Sequence, residues 1–181
     1  DMPLEPICDY VFALDPSDEL NAYANGEAVV VTQGMLRFAQ RDEDLALVLG
    51  HELAHNTQRH MDKQRQNQAA GALVGGLLGA LAGINLADTG ARVGAGAYSQ
   101  EFESEADYIG AYYAARAGYE VRGSADLWRR MAVRNPQSIH LAGTTHPSTA
   151  VRFLAMEQTT TEIAAKQRDG RPLLPEFKPA P

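Results

Sequence analysis

The sequence predicts an α+β fold, with a small, mostly antiparallel sheet followed by a predominantly helical body. Three observations carry this. Runs of β-branched and aromatic residues are concentrated before Gln33. The pair Asn25-Gly26, a favoured two-residue hairpin turn, lies between two such runs. From Asp42 onward, apolar residues recur mainly at helical spacing.

In chain order, Tyr10–Leu14 ("YVFAL") and Ala28–Thr32 ("AVVVT") read as short strands. Asp42, Glu43 and Asp44 then supply a capping side chain and negative charge for a helix N-terminus. Leu45, Val48, Leu49 and Leu53 follow on one face, and this helix is expected to run on towards Arg65. Residues 69–87, "AAGALVGGLLGALAGINLA", carry no charge and are long enough to span a bilayer. Their glycines suit close helix packing equally well. A buried or site-covering segment, a membrane-associated one and a true span are therefore the three readings. Further helices are expected over Ser99–Ala117, Arg122–Arg134 and Ser148 to about Ala165, with Gly118 and Pro136 as stops.

A chain of 181 residues fits one domain with its own core. Residues 1–165 are assigned to it, with 69–87 inside, and the proline-rich 166–181 to a C-terminal tail. The formal net charge of −7 leaves no excess of Lys and Arg for phosphates, so no nucleic-acid partner is expected. Cys8 is the single cysteine, which excludes an internal disulfide and a cysteine zinc finger. The chain begins at Asp1, so a missing leader says nothing about compartment.

The chemistry concentrates in "HELAH". On a helix, His51 and His55 share a face and can turn two imidazole nitrogens on one ion. Glu52 lies about 100° around from His51, beside that ion rather than on it. Zinc lowers the pKa of a bound water to about 7, and an adjacent carboxylate can take its proton as carbonyl attack proceeds. That is the mechanism of the His-Glu-x-x-His motif. His60, about 140° beyond His55 on a continuous helix, should point away and sit at the surface. Gln58 and Met61 exclude the extended metzincin pattern.

A third ligand is sought in "YSQEFESEADYIGAYYAA". Helical spacing sorts this stretch into three stripes. Tyr98, Phe102, Ala106, Ile109 and Tyr113 form an apolar one. Glu101, Glu105, Tyr108 and Tyr112 form an amphipathic one, expected at the surface. Glu103, Asp107, Gly110, Ala111 and Ala114 form the third, whose small residues let another helix approach. A buried carboxylate needs a partner, and a zinc ion held by two histidines is one. Glu103 is thus the predicted ligand, and Asp107, one turn on, the acceptor that orients a histidine.

With "HELAH" and "EFESEAD" in place, the chain resembles the gluzincin metallopeptidases of the CaaX prenyl protease, HtpX and BepA-like type, which have a zincin-like fold. The resemblance runs from about Asn21 to Arg152 and independently implies Glu103 as the third ligand. It also implies that the strand at Asn21, Ala22, Tyr23 and Ala24 lies along the substrate cleft. Glu27 and Met35 are mild departures from that segment's pattern.

His146, just before Pro147, and Arg152 resemble the family's late His-Pro and Arg segment. His146 is open to three readings: oxyanion donor or substrate aid, inhibitory fourth zinc ligand, or structural cap. Arg152 is expected to hold the oxyanion or the substrate.

The expected activity is zinc-dependent endopeptidase cleavage of polypeptides, with one zinc per chain. The resemblance implies misfolded or misassembled envelope proteins as substrates, in a bacterial periplasm or at a membrane surface. Peripheral membrane contact through 69–87 and an oligomeric or envelope assembly partner complete the expectation. The alternative is a zinc-stabilised, largely autoinhibited assembly or chaperone-like factor.

Overall fold

The computed structural model describes residues 10–97, 99–134 and 150–176. The described elements are β1 (Val11–Asp15), β2 (Ala22–Ala24), β3 (Ala28–Thr32), α1 (Gln33–Phe38), α2 (Asp42–Thr57), α3 (His60–Ala82), α4 (Ala87–Ala97), α5 (Ser99–Arg116), α6 (Ala125–Arg134) and α7 (Ala150–Arg168). A small sheet followed by a mostly helical body is the predicted α+β class.

The sheet order is β1-β3-β2. The expected mostly antiparallel sheet is in fact mixed. β2 and β3 form the hairpin around Asn25-Gly26, but β1 lies parallel to β3, pairing Val11 with Ala28 through to Asp15 with Thr32. The cause is local: the hairpin partner of β3 is the short strand after Asn21, so β1 must occupy its other side. The Asn25 side chain shapes the turn by accepting from the backbone N–H groups of Glu27 and Ala28. Val29 and Val31 alternate inward and reach a core shared with Met35, Leu47, Val48, Tyr112, Leu127, Met156 and Ile163.

α2 starts after Arg41 without a side-chain cap. Its three acids occupy the first turn, where they oppose the helix dipole, but the expected capping bond is not made. Asp44 is fully buried and instead accepts from Arg41 Nη2 at 2.8 Å and Arg130 Nη2 at 2.7 Å, tying α6 to α2. The helix also ends earlier than expected, at Thr57. Arg59 takes a left-handed conformation (φ 55°, ψ 39°), and α3 sets off from His60 in a new direction.

α5 packs against both α2 and α7. At the α2–α5 crossing the two backbones nearly touch. A Cβ on Gly50 would lie 2.5 Å from the Gly110 carbonyl oxygen, and one on Gly110 would lie 2.6 Å from the His51 nitrogen. The stripe containing Tyr108 and Tyr112 was expected at the surface, yet Tyr112 is fully buried. α7 covers it, and both hydroxyls donate to Glu162. Burial pushes the Glu162 carboxyl up, but the tyrosine hydroxyls and Lys166 outweigh it and hold it below the usual range. Lys166, buried near the end of α7, donates to the Leu174 carbonyl at 2.6 Å and so draws the following segment back over the helix.

Residues 69–87 do not form one span. Among the described residues no helix is long and apolar enough to cross a membrane. The first turns of α3 are polar, and its apolar part ends at Gly83, where the chain reverses into α4. The two helices pack through glycines: a Cβ on Gly71 would lie 2.1 Å from the Gly90 carbonyl oxygen. The glycine face is therefore buried, while Leu73, Leu77 and Leu81 on α3 remain 76%, 65% and 80% exposed.

Two outcomes follow from this packing. Gly110→Ala should destabilise the fold by about 1–3 kcal/mol in urea unfolding, because its neighbours are backbone atoms that cannot yield cheaply. Burial raises the Asp44 carboxyl, but Arg41 and Arg130 outweigh it and depress it below its ordinary 3.8. Its contribution, about 1–3 kcal/mol relative to Asp44→Asn, is present above that value. The difference between parent and variant should vanish as pH falls through the depressed folded-state pKa.

Candidate metal centre

Three helices build the site. α2 supplies His51, Glu52 and His55, α5 supplies Glu103 and Asp107, and α7 supplies Arg152. All six side chains are buried. His51 and His55 project from one face of α2, as their four-residue spacing requires, and their Nε2 atoms lie 3.0 Å apart. Glu103 reaches both from the facing helix, with Oε2 at 3.4 Å from His51 Nε2 and Oε1 at 3.3 Å from His55 Nε2.

These spacings suit zinc. Bonds of about 2.0–2.1 Å in tetrahedral geometry place neighbouring ligand atoms about 3.3–3.4 Å apart. One ligand atom from each of His51, His55 and Glu103 lies within 4.8 Å of the others. The donor set of two imidazoles and one carboxylate is also one that zinc accepts.

The surroundings prepare these ligands. Asp107 Oδ1 lies 2.9 Å from His51 Nδ1, a placement that would favour the imidazole proton on Nδ1 and leave Nε2 for an ion. Arg152 donates to both oxygens of Asp107 at 2.7 Å through Nε and Nη2, and approaches Glu103 Oε2 at 2.9 Å through Nη1. Its guanidinium also lies over the Trp128 ring, 5.0 Å from the centroid, and Trp128 meets His51 edge-on. Asp107 thus lies beside His51, and Arg152, for which an oxyanion or substrate role is expected, contacts the carboxylates of Asp107 and Glu103.

The local field favours a cation. Burial pushes the His51 imidazole down, but Asp107 and Glu103 lift it to about 10. Burial pushes the Asp107 carboxyl up, and Arg152 and His51 bring it below its ordinary value. Three acidic residues, Glu52, Glu103 and Asp107, surround one arginine in this buried cluster, and with His51 neutral, as metal binding requires, that imbalance is one a divalent ion would cancel.

His60 corrects the sequence reading. It is buried, with Nδ1 2.9 Å from His55 Nδ1 and Nε2 3.0 Å from Glu105 Oε2. The angle of about 140° assumed an unbroken helix. The left-handed Arg59 breaks it and returns His60 to the site. A non-glycine residue in that conformation has no local sequence signature. Asn56 was also missed: its Oδ1 accepts from Gly26 N at 2.8 Å and its Nδ2 donates to the Ala28 carbonyl at 3.1 Å. It thereby clamps the β2–β3 hairpin, with Asn21, Ala22, Tyr23 and Ala24 at its leading edge, to the helix bearing the histidines. His146 and Pro147 lie outside the described residues.

Residues 1–160 match the family model described as Peptidase family M48. The chain belongs to that family. It is 29% identical over 164 residues to the mitochondrial metalloendopeptidase OMA1 of Schizosaccharomyces pombe, covering 84% of this chain and 49% of that protein. It is 33% identical over 123 residues to the beta-barrel assembly-enhancing protease of Escherichia coli O157:H7, covering 60% and 25% respectively. For the Yersinia pestis protein of the same name the identity is 30% over 135 residues, covering 67% and 28%. The chain thus spans half or less of the length of these relatives.

Glu103→Ala should abolish stoichiometric zinc binding, measured as metal content after gel filtration, because it removes one of three ligands. Glu105→Ala should retain one zinc per chain at saturating metal. The reverse pattern would overturn the assignment of Glu103.

Proposed function

We propose that this chain carries the catalytic unit of a zinc-dependent endopeptidase. The observation that carries the reading is the convergence of His51, His55 and Glu103 within 4.8 Å, with Glu52 directly following the first histidine. When bound, zinc supplies Lewis-acid polarisation of a carbonyl and acidifies water to near neutrality.

The chain's own groups do the rest. A Glu52 carboxylate oxygen takes the proton of the attacking water and passes it to the departing amine nitrogen. Asp107 keeps the His51 proton on Nδ1, and Arg152 holds the carboxylates of Asp107 and Glu103 in place, which makes it a positioning residue. β2 pairs with β3 along one side only in the described sheet, so its outer edge can receive an extended peptide as a further strand. Asn56 fixes that edge relative to α2.

We assign polypeptides of the bacterial envelope, misfolded or misassembled, as the substrates. The names of the Escherichia coli and Yersinia pestis relatives support this, since they describe proteases that enhance β-barrel assembly. The place of action is the periplasm or a membrane surface, with the exposed leucines of α3 supplying peripheral contact. One observation favours a second reading: Glu52 and the three ligands are all buried, as expected of a client-binding assembly factor whose site is held closed.

Glu52→Gln should keep one zinc per chain and lose about 10²–10⁴-fold in cleavage of an unfolded protein substrate. A variant that cuts as fast as the parent would refute the mechanism. A zinc-loaded parent with no cleavage would favour the closed assembly factor.

A further inference from the structure

We propose that His60 and Glu105 form a hydrogen-bonded relay that fixes the tautomer and orientation of His55, so that His60 is a positioning residue of the metal centre. This rests on the metal-centre reading above and adds two residues to it.

The proton assignment follows from the chemistry of each group. An ionised Glu105 carboxylate only accepts, so the His60 Nε2 that lies 3.0 Å from its Oε2 must carry the N–H. A neutral imidazole carries one N–H, which leaves His60 Nδ1 as an acceptor. His55 Nδ1, 2.9 Å away, is then the donor. With its proton on Nδ1, neutral His55 presents a lone pair at Nε2, the atom that faces His51 and Glu103. Every bond in the row has one donor and one acceptor.

The surrounding packing holds the relay in line. The His60 ring stacks on Phe102, with centroids 4.6 Å apart and planes 14° apart. Phe102 precedes the ligand Glu103 on α5, so the same helix carries the ligand and the stacking platform. Glu105 follows two residues later and reaches the far side of the His60 ring. The left-handed Arg59 makes this possible, because it turns the start of α3 back towards His55. A costly backbone conformation persists only where its surroundings over-determine it, and the buried, doubly hydrogen-bonded His60 does so. Each histidine of the pair on α2 thereby has a group facing its Nδ1: Asp107 at 2.9 Å for His51, and His60 backed by Glu105 for His55.

The test is zinc affinity by chelator competition on the full chain, together with the visible spectrum of the cobalt-substituted protein and the thermal midpoint of the metal-free form. His60→Ala should weaken zinc binding about 10–100-fold and alter the cobalt spectrum. His60→Asn, whose Oδ1 can accept in place of Nδ1, should restore most of the affinity and the parental spectrum. Glu105→Ala should weaken binding by up to about tenfold while leaving the metal-free thermal midpoint at the parental value.

A folded His60→Ala protein with parental affinity and spectrum would overturn the proposal. Should His60→Ala fail to fold, Glu105→Ala decides, since that side chain is partly exposed. Weakened binding then supports the relay, and parental affinity with a parental spectrum overturns it. A parent that takes up no zinc would overturn the metal centre itself, a failure distinct from that of the relay alone.

Discussion

The site depends on how closely α2 and α5 approach at Gly50 and Gly110. With no side chain at either position, the backbones come into contact one residue before His51 and three residues after Asp107. That contact fixes the separation between the imidazoles of one helix and the carboxylates of the other. Packed interiors resist even a methylene of added volume, so two small residues set a distance that the bonding of a metal ion requires. The hydrophobic core of β3, α2, α5, α6 and α7 then holds the crossing in place.

The second governing feature is the treatment of buried charge. Isolated charges in a protein interior are costly, and here they occur as a connected group. Arg152 braces Asp107 and Glu103, Asp107 braces His51, and His60 with Glu105 contacts His55. The arrangement gives the ligands defined orientations and leaves a net acidic interior that a cation completes. Asn56 extends the same order to the sheet, so the β2 edge and the histidines are held by consecutive stretches of one helix.

The α3–α4 hairpin follows a different logic. Its glycines let two helices pack backbone to backbone, which directs the larger apolar side chains outward. Composition alone cannot separate this from a span, since a glycine-rich apolar run satisfies both. The difference lies in where the polar first turns of α3 and the reversal at Gly83 cut the run.

Much of the site was legible in the sequence because helical periodicity is a local property. The spacing of His51 and His55 placed two nitrogens on one face, and sorting the acidic cluster singled out Glu103 and Asp107 by the small residues sharing their stripe. The fold class and the short strands followed from equally local patterns. The parallel pairing of β1, the burial of Tyr112, the partners of Arg152 and the inward turn of His60 did not. Each depends on elements distant in sequence or on a single backbone conformation that no residue pattern announces. Residue order therefore determined which groups could reach an ion. Only the tertiary structure decided which of their neighbours hold them there, because hydrogen-bond partners are chosen by packing across helices rather than by spacing along one.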